Sequence, residues 1–260
     1  MMLRLMHRWS LFAPALLGIT LLVVGWQLLV MLFDLPRYIL PGPERVAMTL
    51  WANRVLLLHH GMITLVEIMV GFCLGVLLGV MTALALIIMP TLRRTLLPLL
   101  LITQAIPVFA LAPILMLWFG YGMLSKIIMA MLIIYFPVTS NSYDGLRQTP
   151  QEWLDLSTTM GATSLRRLWY IRIPAALPSF ASGLRMAATA APIGAVIGEW
   201  VGSSAGLGYL MLQANGRMQT DLMFAALVVL VIFAVAFYFL VDGLCRRLLP
   251  WQPDRRHNDD

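Results

Sequence analysis

Charged side chains are scarce in this 260-residue sequence. Asp, Glu, Lys and Arg make up 12% of it and apolar residues 60%, whereas an average soluble domain has about 25% charged residues. This small number of charged side chains cannot cover a water-facing surface. The sequence therefore predicts a polytopic integral membrane protein of the all-α class. The net charge of +6 is then attributed to basic loops on one side of the membrane, and no nucleic-acid partner is expected.

The sequence also lacks the motifs of several kinds of chemical site. The two cysteines, Cys73 and Cys245, both lie in apolar stretches and predict no disulfide framework. The only lysine is Lys126, and no Gly-Lys-Ser/Thr phosphate-binding loop is present, so this chain is not expected to hydrolyse ATP. No hydrolase motif is found, and the adjacent His59 and His60 would point in different directions on a helix. We expect no enzymatic activity, no metal site and no cofactor bound by this chain.

Six apolar stretches, of which the fourth is short, predict six transmembrane helices. They are residues 11–33, 63–89, 96–119, 124–139, 179–201 and 222–244. The first is longer than the roughly 7–15 apolar residues of a signal peptide and has no small-x-small cleavage site, so we expect it to stay uncleaved. Pro98, Pro107 and Pro113 predict kinks in the third span, and Pro137 predicts the end of the fourth.

The basic residues orient these spans. The predicted outer segments carry Arg37, Arg45, Arg54, Lys126 and Arg217, and the inner segments carry the other 13 of the 18. Because Lys and Arg concentrate on the cytoplasmic side, both termini and the loop 140–177 are predicted to be cytoplasmic. Three regions follow: a first span with an outer connection (1–61), a core domain (62–249) and a cytoplasmic tail (250–260).

Small residues recur every four positions in two of the spans. Gly71, Gly75 and Gly79 form such a row in the second span. The fifth span has similar rows of glycine and alanine, beginning at Gly183. This spacing places the small residues on one helix face and predicts close approach of a neighbouring helix.

Few ionisable residues fall within the spans. Glu67, Arg185, Glu199 and Asp242 are each assigned a place near a span end, where the side chain reaches the interface. Glu199 is a candidate gate residue or contact for an external protein. Gln104 and Asn141, polar residues near kinks or helix ends, are candidates for contact with a transported solute.

The loop contains one long amphipathic stretch, residues 152–178. Its apolar side chains recur at helical spacing, Gly161 separates two short helical pieces, and Pro174 and Pro178 are expected to end the second piece and start the next span. The residues alone fit either a segment that lies on the inner membrane surface or a docking site for a cytoplasmic partner.

The spacing in this loop resembles the signature of bacterial ATP-binding-cassette importer permeases. That signature is Glu-Ala-Ala, three residues, Gly, nine residues and Ile-x-Leu-Pro. It corresponds here to Asp155, Leu156, Ser157, Gly161, Ile171, Ile173 and Pro174. The first triplet departs from the family pattern, most clearly at Leu156, where the family has a small residue. Further likeness lies in Leu117–Gly120, Leu177–Pro178, Gly183–Arg185, Glu199 and Gly206–Gly208, and the resemblance covers residues 63–249.

The resemblance implies a MetI-like permease fold in a bacterial inner membrane. It also implies a homodimer in contact with membrane lipid, a separate ATP-binding subunit that uses the ATP and docks on the loop, and a periplasmic or lipid-anchored substrate-binding protein. The resemblance is strongest to permeases for sulfonates, taurine, nitrate and thiamine-precursor pyrimidines. Within that branch we expect a pyrimidine such as hydroxymethylpyrimidine, with aliphatic sulfonate, taurine or nitrate as the alternative.

Two other classes of protein stay open on the residues alone. A self-sufficient secondary transporter or channel would be expected to carry an ion-coupling acid deep in a span, or inverted repeats with broken helices. The sequence shows neither. A scaffold that uses the loop only to recruit a partner would bind that partner without transport.

Overall fold

The computed structural model describes the backbone of residues 2–251 and the side chains of residues 16–100, 102 and 106–251. All regular secondary structure in this part of the chain is helical, which confirms the all-α prediction. The helices are α1 (Met2–Leu32), α2 (Pro43–Ala52), α3 (Arg54–Ile88), α4 (Pro90–Ala105), α5 (Val108–Phe119), α6 (Met123–Arg147), α7 (Gln151–Thr159), α8 (Ser164–Arg167), α9 (Ile173–Gly202), α10 (Leu207–Gly216) and α11 (Thr220–Leu248). A π-helical turn, Leu168–Arg172, joins α8 to α9.

Four helices among the described residues are long and apolar enough to cross a membrane. They are Arg54–Ile88, Met123–Arg147, the continuous helix Ser164–Gly202 and Thr220–Leu248. Two shorter apolar helices, Leu16–Leu32 and Val108–Phe119, fall within the first and third predicted spans. The polytopic architecture is thereby supported, and the count of six spans stays a prediction.

Prolines mark the main differences from the expected helix ends. Pro107 separates α4 from α5, so the third span is two helices rather than one kinked helix. The sequence predicts that Pro137 ends the fourth span, yet α6 continues to Arg147 because packing against its neighbours outweighs one lost backbone hydrogen bond. Pro174 and Pro178 likewise lie inside the continuous helix, which begins at Ser164 rather than after the loop.

The described chain divides into two compact units. The first comprises Met1–His59 and Leu210–Val229. Within it, the rings of Trp26 and Phe224 lie 5.8 Å apart, and the Thr220 hydroxyl donates to the Arg37 carbonyl over 2.9 Å. These contacts hold the end of α1 and the connection that follows it to the start of α11.

The second unit, His60–Tyr209 and Leu230–Asp260, is organised around α6. Glycines of α3 contact one side of α6: a Cβ atom added at Gly71 would lie 2.6 Å from Ala130 Cβ, and one added at Gly75 would lie 2.7 Å from Ile134 Cγ2. The contacts advance together along both helices, so α3 and α6 run parallel. The predicted close approach of a neighbouring helix is confirmed.

Helix α9 packs along another part of the α6 surface in the opposite direction. A Cβ atom added at Gly183 would lie 2.8 Å from Asn141 Cβ, and one added at Gly194 would lie 2.8 Å from Ala130 Cα. The fully buried alanines Ala187, Ala188, Ala191 and Ala195 continue this contact. The backbone of α6 is therefore in close contact with α3 at one part of its surface and with α9 at another, which restricts the side chains packed between them.

Candidate functional site

Helix α7 ends in a glycine-terminated turn. Gly161 adopts φ +75°, its N–H donates to the Thr158 carbonyl, and the Ala162 N–H donates to the Ser157 carbonyl, each over 2.9 Å. This pair of hydrogen bonds is the Schellman motif, whose left-handed position strongly favours glycine. Thr163 then caps α8 by accepting from the Arg166 N–H. The break predicted at Gly161 is confirmed, and it has a defined geometry.

A groove of about 460 Å³ lies between α7 and the start of α9. We call it the α7 groove; its lining residues are Trp153, Leu156, Ser157, Met160, Tyr170, Ile171, Pro174, Ala175 and Trp251. Four of the seven residues matched to the family signature thus meet in one place. Leu156 and Met160 are 63% and 79% exposed, so the groove presents apolar surface outward.

The other three signature residues lie elsewhere. Asp155 is exposed on α7 and accepts from the Gln151 side chain over 3.0 Å. Ile173 lines a separate apolar cavity of about 240 Å³. Gly161 forms the turn and does not line the groove. Helices α7 and α8 are held together by Arg167, whose guanidinium donates to the hydroxyls of Thr158 and Ser164.

A second group of polar residues is buried between α3, α6 and α9. Glu67 is fully buried and accepts from Lys126 Nζ over 2.7 Å, so the expectation that its side chain reaches the interface is wrong. The carboxylate is instead neutralised by a lysine that is itself 5% exposed. The sequence contained a signal for this pair, since the only lysine of the chain lies in an apolar stretch. The sequence alone does not indicate that Glu67, 59 residues away, is the partner of this lysine.

Glu199 is also fully buried, so the expectation that it reaches the interface is wrong as well. It accepts a hydrogen bond from the Thr64 hydroxyl over 2.6 Å and another from the Gly208 N–H. Thr64 accepts from the Leu207 N–H over 2.8 Å, and His60 Nδ1 accepts from the Gly206 N–H over 3.0 Å. We call this group the polar latch: His60, Thr64, Glu67, Lys126, Glu199 and the backbone of residues 205–208.

The other polar candidates have structural partners or lie outside the description. The Asn141 amide donates to the Pro137 carbonyl over 2.8 Å and packs against Gly183. The side chain of Gln104 falls outside the described residues.

Arg185 of α9 donates to Asp242 of α11 over 2.7 Å, and Arg246 donates to the same carboxylate. Among the described residues, no three His, Cys, Asp or Glu side chains are grouped so that they could hold a metal ion.

The apolar helices, packed through small residues, and the exposed amphipathic helix α7 define an integral membrane protein. A solved structure with the same fold is an inward-facing form of the MetNI methionine ABC transporter. One of its chains matches 76% of this chain and is itself 97% covered, with a TM-score of 0.59 and 23% identity. This likeness supports the MetI-like fold.

Sequence comparison identifies relatives over most of the chain. A protein of Haemophilus influenzae described as a probable ABC transporter permease is 55% identical over 90% of this chain and 96% of its own length. The formylaminopyrimidine transport permease ThiX of Halalkalibacterium halodurans is 36% identical over 92% and 95%. The riboflavin transport permease RibX of Chloroflexus aurantiacus is 36% identical over 89% and 87%.

The chain belongs to the family of binding-protein-dependent transport system inner membrane components, whose sequence profile matches residues 75–252. It is an ABC transporter permease, an integral multi-pass protein of the inner membrane. The resemblance to the sulfonate, taurine and thiamine-precursor branch is confirmed by relatives named for those solutes.

A self-sufficient secondary transporter is not retained, although buried acids of the kind it would need are present. Glu67 is neutralised by Lys126, and Glu199 accepts from the Thr64 hydroxyl and the Gly208 N–H.

Proposed function

We propose that the α7 groove is the surface on which the separate ATP-binding subunit docks. The observation that carries this proposal is the exposure of Leu156 and Met160 on a helix whose end is fixed by the Gly161 turn. Holding large apolar side chains in water is unfavourable, and a partner that covers them gains their burial. A short helix with a fixed end also transmits movement better than a flexible loop does.

The docking proposal is tested by comparing two leucines of nearly equal exposure. Leu156, 63% exposed, lines the α7 groove, whereas Leu165, 64% exposed, lies on α8 and lines a different cavity. Burial of a leucine side chain is worth about 1.5–3 kcal/mol. We therefore expect Leu156→Ala to weaken binding of the purified ATP-binding subunit roughly tenfold or more, and Leu165→Ala to change it less than about threefold. An unchanged affinity in Leu156→Ala would refute docking at this groove.

The Gly161 turn offers a second test of the same proposal. A Cβ atom added at Gly161 meets nothing within 4 Å in this subunit, but φ +75° is strained for any β-branched residue. Gly161→Val should reorient α7 and uncouple ATP hydrolysis from uptake without disturbing the helix bundle. Gly122→Val is a control, because Gly122 also has open space around it and no positive φ. The measurement is the ratio of solute transported to ATP hydrolysed in proteoliposomes.

We propose that the transported solute is a thiamine-precursor pyrimidine such as hydroxymethylpyrimidine or formylaminopyrimidine. Support comes from the two named relatives at 36% identity, because formylaminopyrimidine and the ring system of riboflavin both contain a pyrimidine ring. Ligand screening of the cognate binding protein by calorimetry tests this choice. Binding of an aliphatic sulfonate, taurine or nitrate, with no binding of the pyrimidine, would favour the alternative, which relatives named for taurine and sulfonates support.

The assembly is proposed to contain two copies of this chain, two ATP-binding subunits and one periplasmic or lipid-anchored binding protein. Membership of the family implies an ATP-binding subunit and a substrate-binding protein. The two-copy stoichiometry, with both termini in the cytoplasm and membrane lipid around the bundle, rests on the resemblance and on the charge distribution. The mass of the purified complex tests the stoichiometry, and reporter fusions at each terminus test the orientation. Uptake that persists in cells without the partner ATPase would refute the assembly.

A further inference from the structure

The start of α10 is held by acceptors from two other helices. The first N–H groups of a helix have no acceptor within the helix itself. Here the three successive N–H groups of residues 206–208 donate to His60 Nδ1, to the Thr64 hydroxyl and to the Glu199 carboxylate, in that order. Two of these acceptors belong to α3 and the third belongs to α9. The first turn of α10 is therefore bonded to both helices.

Electrostatics and shape both fit this arrangement. The N-terminal end of a helix carries partial positive charge, and the Glu199 carboxylate lies against it. Gly206 has φ +118°, and a Cβ atom at this position would overlap the Glu199 carboxylate; one at Gly208 would lie 2.8 Å from Glu199 Oε2. Only glycine at these two positions lets the backbone approach the carboxylate so closely.

A third helix contributes through the buried ion pair. Lys126 of α6 donates to Glu67 of α3 over 2.7 Å, and its Nζ lies 3.5 Å from the Ala205 carbonyl. The side chains of Thr64, Glu67 and Glu199 are fully buried, so the latch is closed to solvent. Releasing the first turn of α10 would leave three N–H groups without acceptors and withdraw the Ala205 carbonyl from the buried ion pair, and both changes are unfavourable where water does not replace the lost partners.

We propose that Thr64 and Glu199 are positioning residues for transport, which keep the first turn of α10 fixed to α3 and α9 throughout the transport cycle. In this role Glu199 does not contact the solute. It acts through the Gly208 N–H, so that the first turn of α10 moves together with α3 and α9 when ATP changes the conformation of the transporter. The polar latch is a fixed joint and not a gate.

Hydrogen exchange of the complete wild-type transporter tests the fixed joint directly. The complex is measured in proteoliposomes without nucleotide and with a non-hydrolysable ATP analogue. We expect the amides of residues 206–208 to exchange within threefold of the same slow rate in both states. A tenfold or greater increase in either state would show that the latch opens, and would overturn the proposal.

Two substitutions at Thr64 separate the hydrogen bonds from packing. Thr64→Val keeps the shape but removes the hydroxyl, whereas Thr64→Ser keeps the hydroxyl and loses a methyl group. We expect Thr64→Val to lower the maximal rate of ATP hydrolysis, stimulated by the purified binding protein, at least fivefold with an unchanged KM for that protein. Thr64→Ser should stay within twofold of the wild type.

The reverse order of the two variants, or a changed KM with an unchanged maximal rate, would overturn the proposal. The reverse order would mean that shape alone matters, and a changed KM would mean that Thr64 contributes to recognition of the binding protein. If Thr64→Val does not accumulate in the membrane, the hydrogen-exchange measurement on the wild-type complex alone tests whether the joint is fixed.

Discussion

The contact between α3 and α6 allows one prediction to be worked out from distances. A Cβ atom at Gly75 would lie 2.7 Å from Ile134 Cγ2, 2.9 Å from Ile134 Cβ and 3.0 Å from the Met131 carbonyl oxygen. Carbon atoms in contact prefer about 3.5–4.0 Å, so the two helices would have to separate by roughly 1 Å. Ile134 is fully buried and cannot turn away. Forcing one methyl group into such a contact costs about 1–3 kcal/mol.

A matched substitution isolates this cost. Gly25 lies in the middle of the apolar helix α1, and a Cβ atom there would meet nothing within 4 Å. Both Gly25→Ala and Gly75→Ala gain the same intrinsic helix preference, which is about 1 kcal/mol. The difference between the two variants is therefore the packing cost alone, and Gly75→Ala should be less stable by about 1–3 kcal/mol.

The measurement is the free energy of unfolding in detergent micelles, taken from a denaturant titration that is followed by tryptophan fluorescence. Equal stabilities for Gly25→Ala and Gly75→Ala would show that α3 and α6 are not in backbone contact at Gly75. The packing described for the second unit would then be wrong, because Gly71 and Gly79 belong to the same row.

Three further predictions use the same titration. Lys126→Met should lower the free energy of unfolding by about 3–5 kcal/mol, because Glu67 is left buried without a partner; Lys126→Met combined with Glu67→Leu should recover most of that loss, and the absence of recovery would contradict the ion pair. Gly161→Ala should cost about 1–2 kcal/mol for its left-handed backbone, and an unchanged stability would contradict the Schellman turn. Asp242→Asn should cost only about 1 kcal/mol, because both of its arginine partners are partly exposed; a loss as large as that of Lys126→Met would show that these pairs are more deeply buried.

Features that depend on spacing along one helix could be predicted from the sequence. The row from Gly71 to Gly79 lies on one face whatever the neighbour is, so close approach was predictable although α6 could not be named as the partner. The break at Gly161 was predictable for a similar reason, since a glycine between two amphipathic pieces has few other uses. The match to the family signature could be found because its glycine and proline positions are fixed by local backbone geometry.

Features that join distant parts of the chain could not be predicted in this way. Thr64 and Glu199 are 135 residues apart, and Glu67 and Lys126 are 59 apart. Each residue alone looked like an isolated polar group near a span end, and only the packing of the helices pairs them. The prediction that Pro137 ends the fourth span is wrong for the opposite reason. The cost of a proline in a helix is local, whereas the compensating contacts with α3 and α9 are tertiary.

The continuity of the helix Ser164–Gly202 connects the two candidate sites mechanically. The sequence predicts a loop followed by a span here, but one helix of 39 residues leads from the turn beside the α7 groove to Glu199 and the polar latch. At about 1.5 Å per residue it spans more than 50 Å. In the proposed assembly, a displacement of α8 by a docked partner passes along this helix, whose backbone is irregular at the π-helical turn Leu168–Arg172 and at Pro174, Pro178 and Pro192. If the latch opened, that displacement would not reach α3 and the start of α10, whereas a fixed joint transmits it to both.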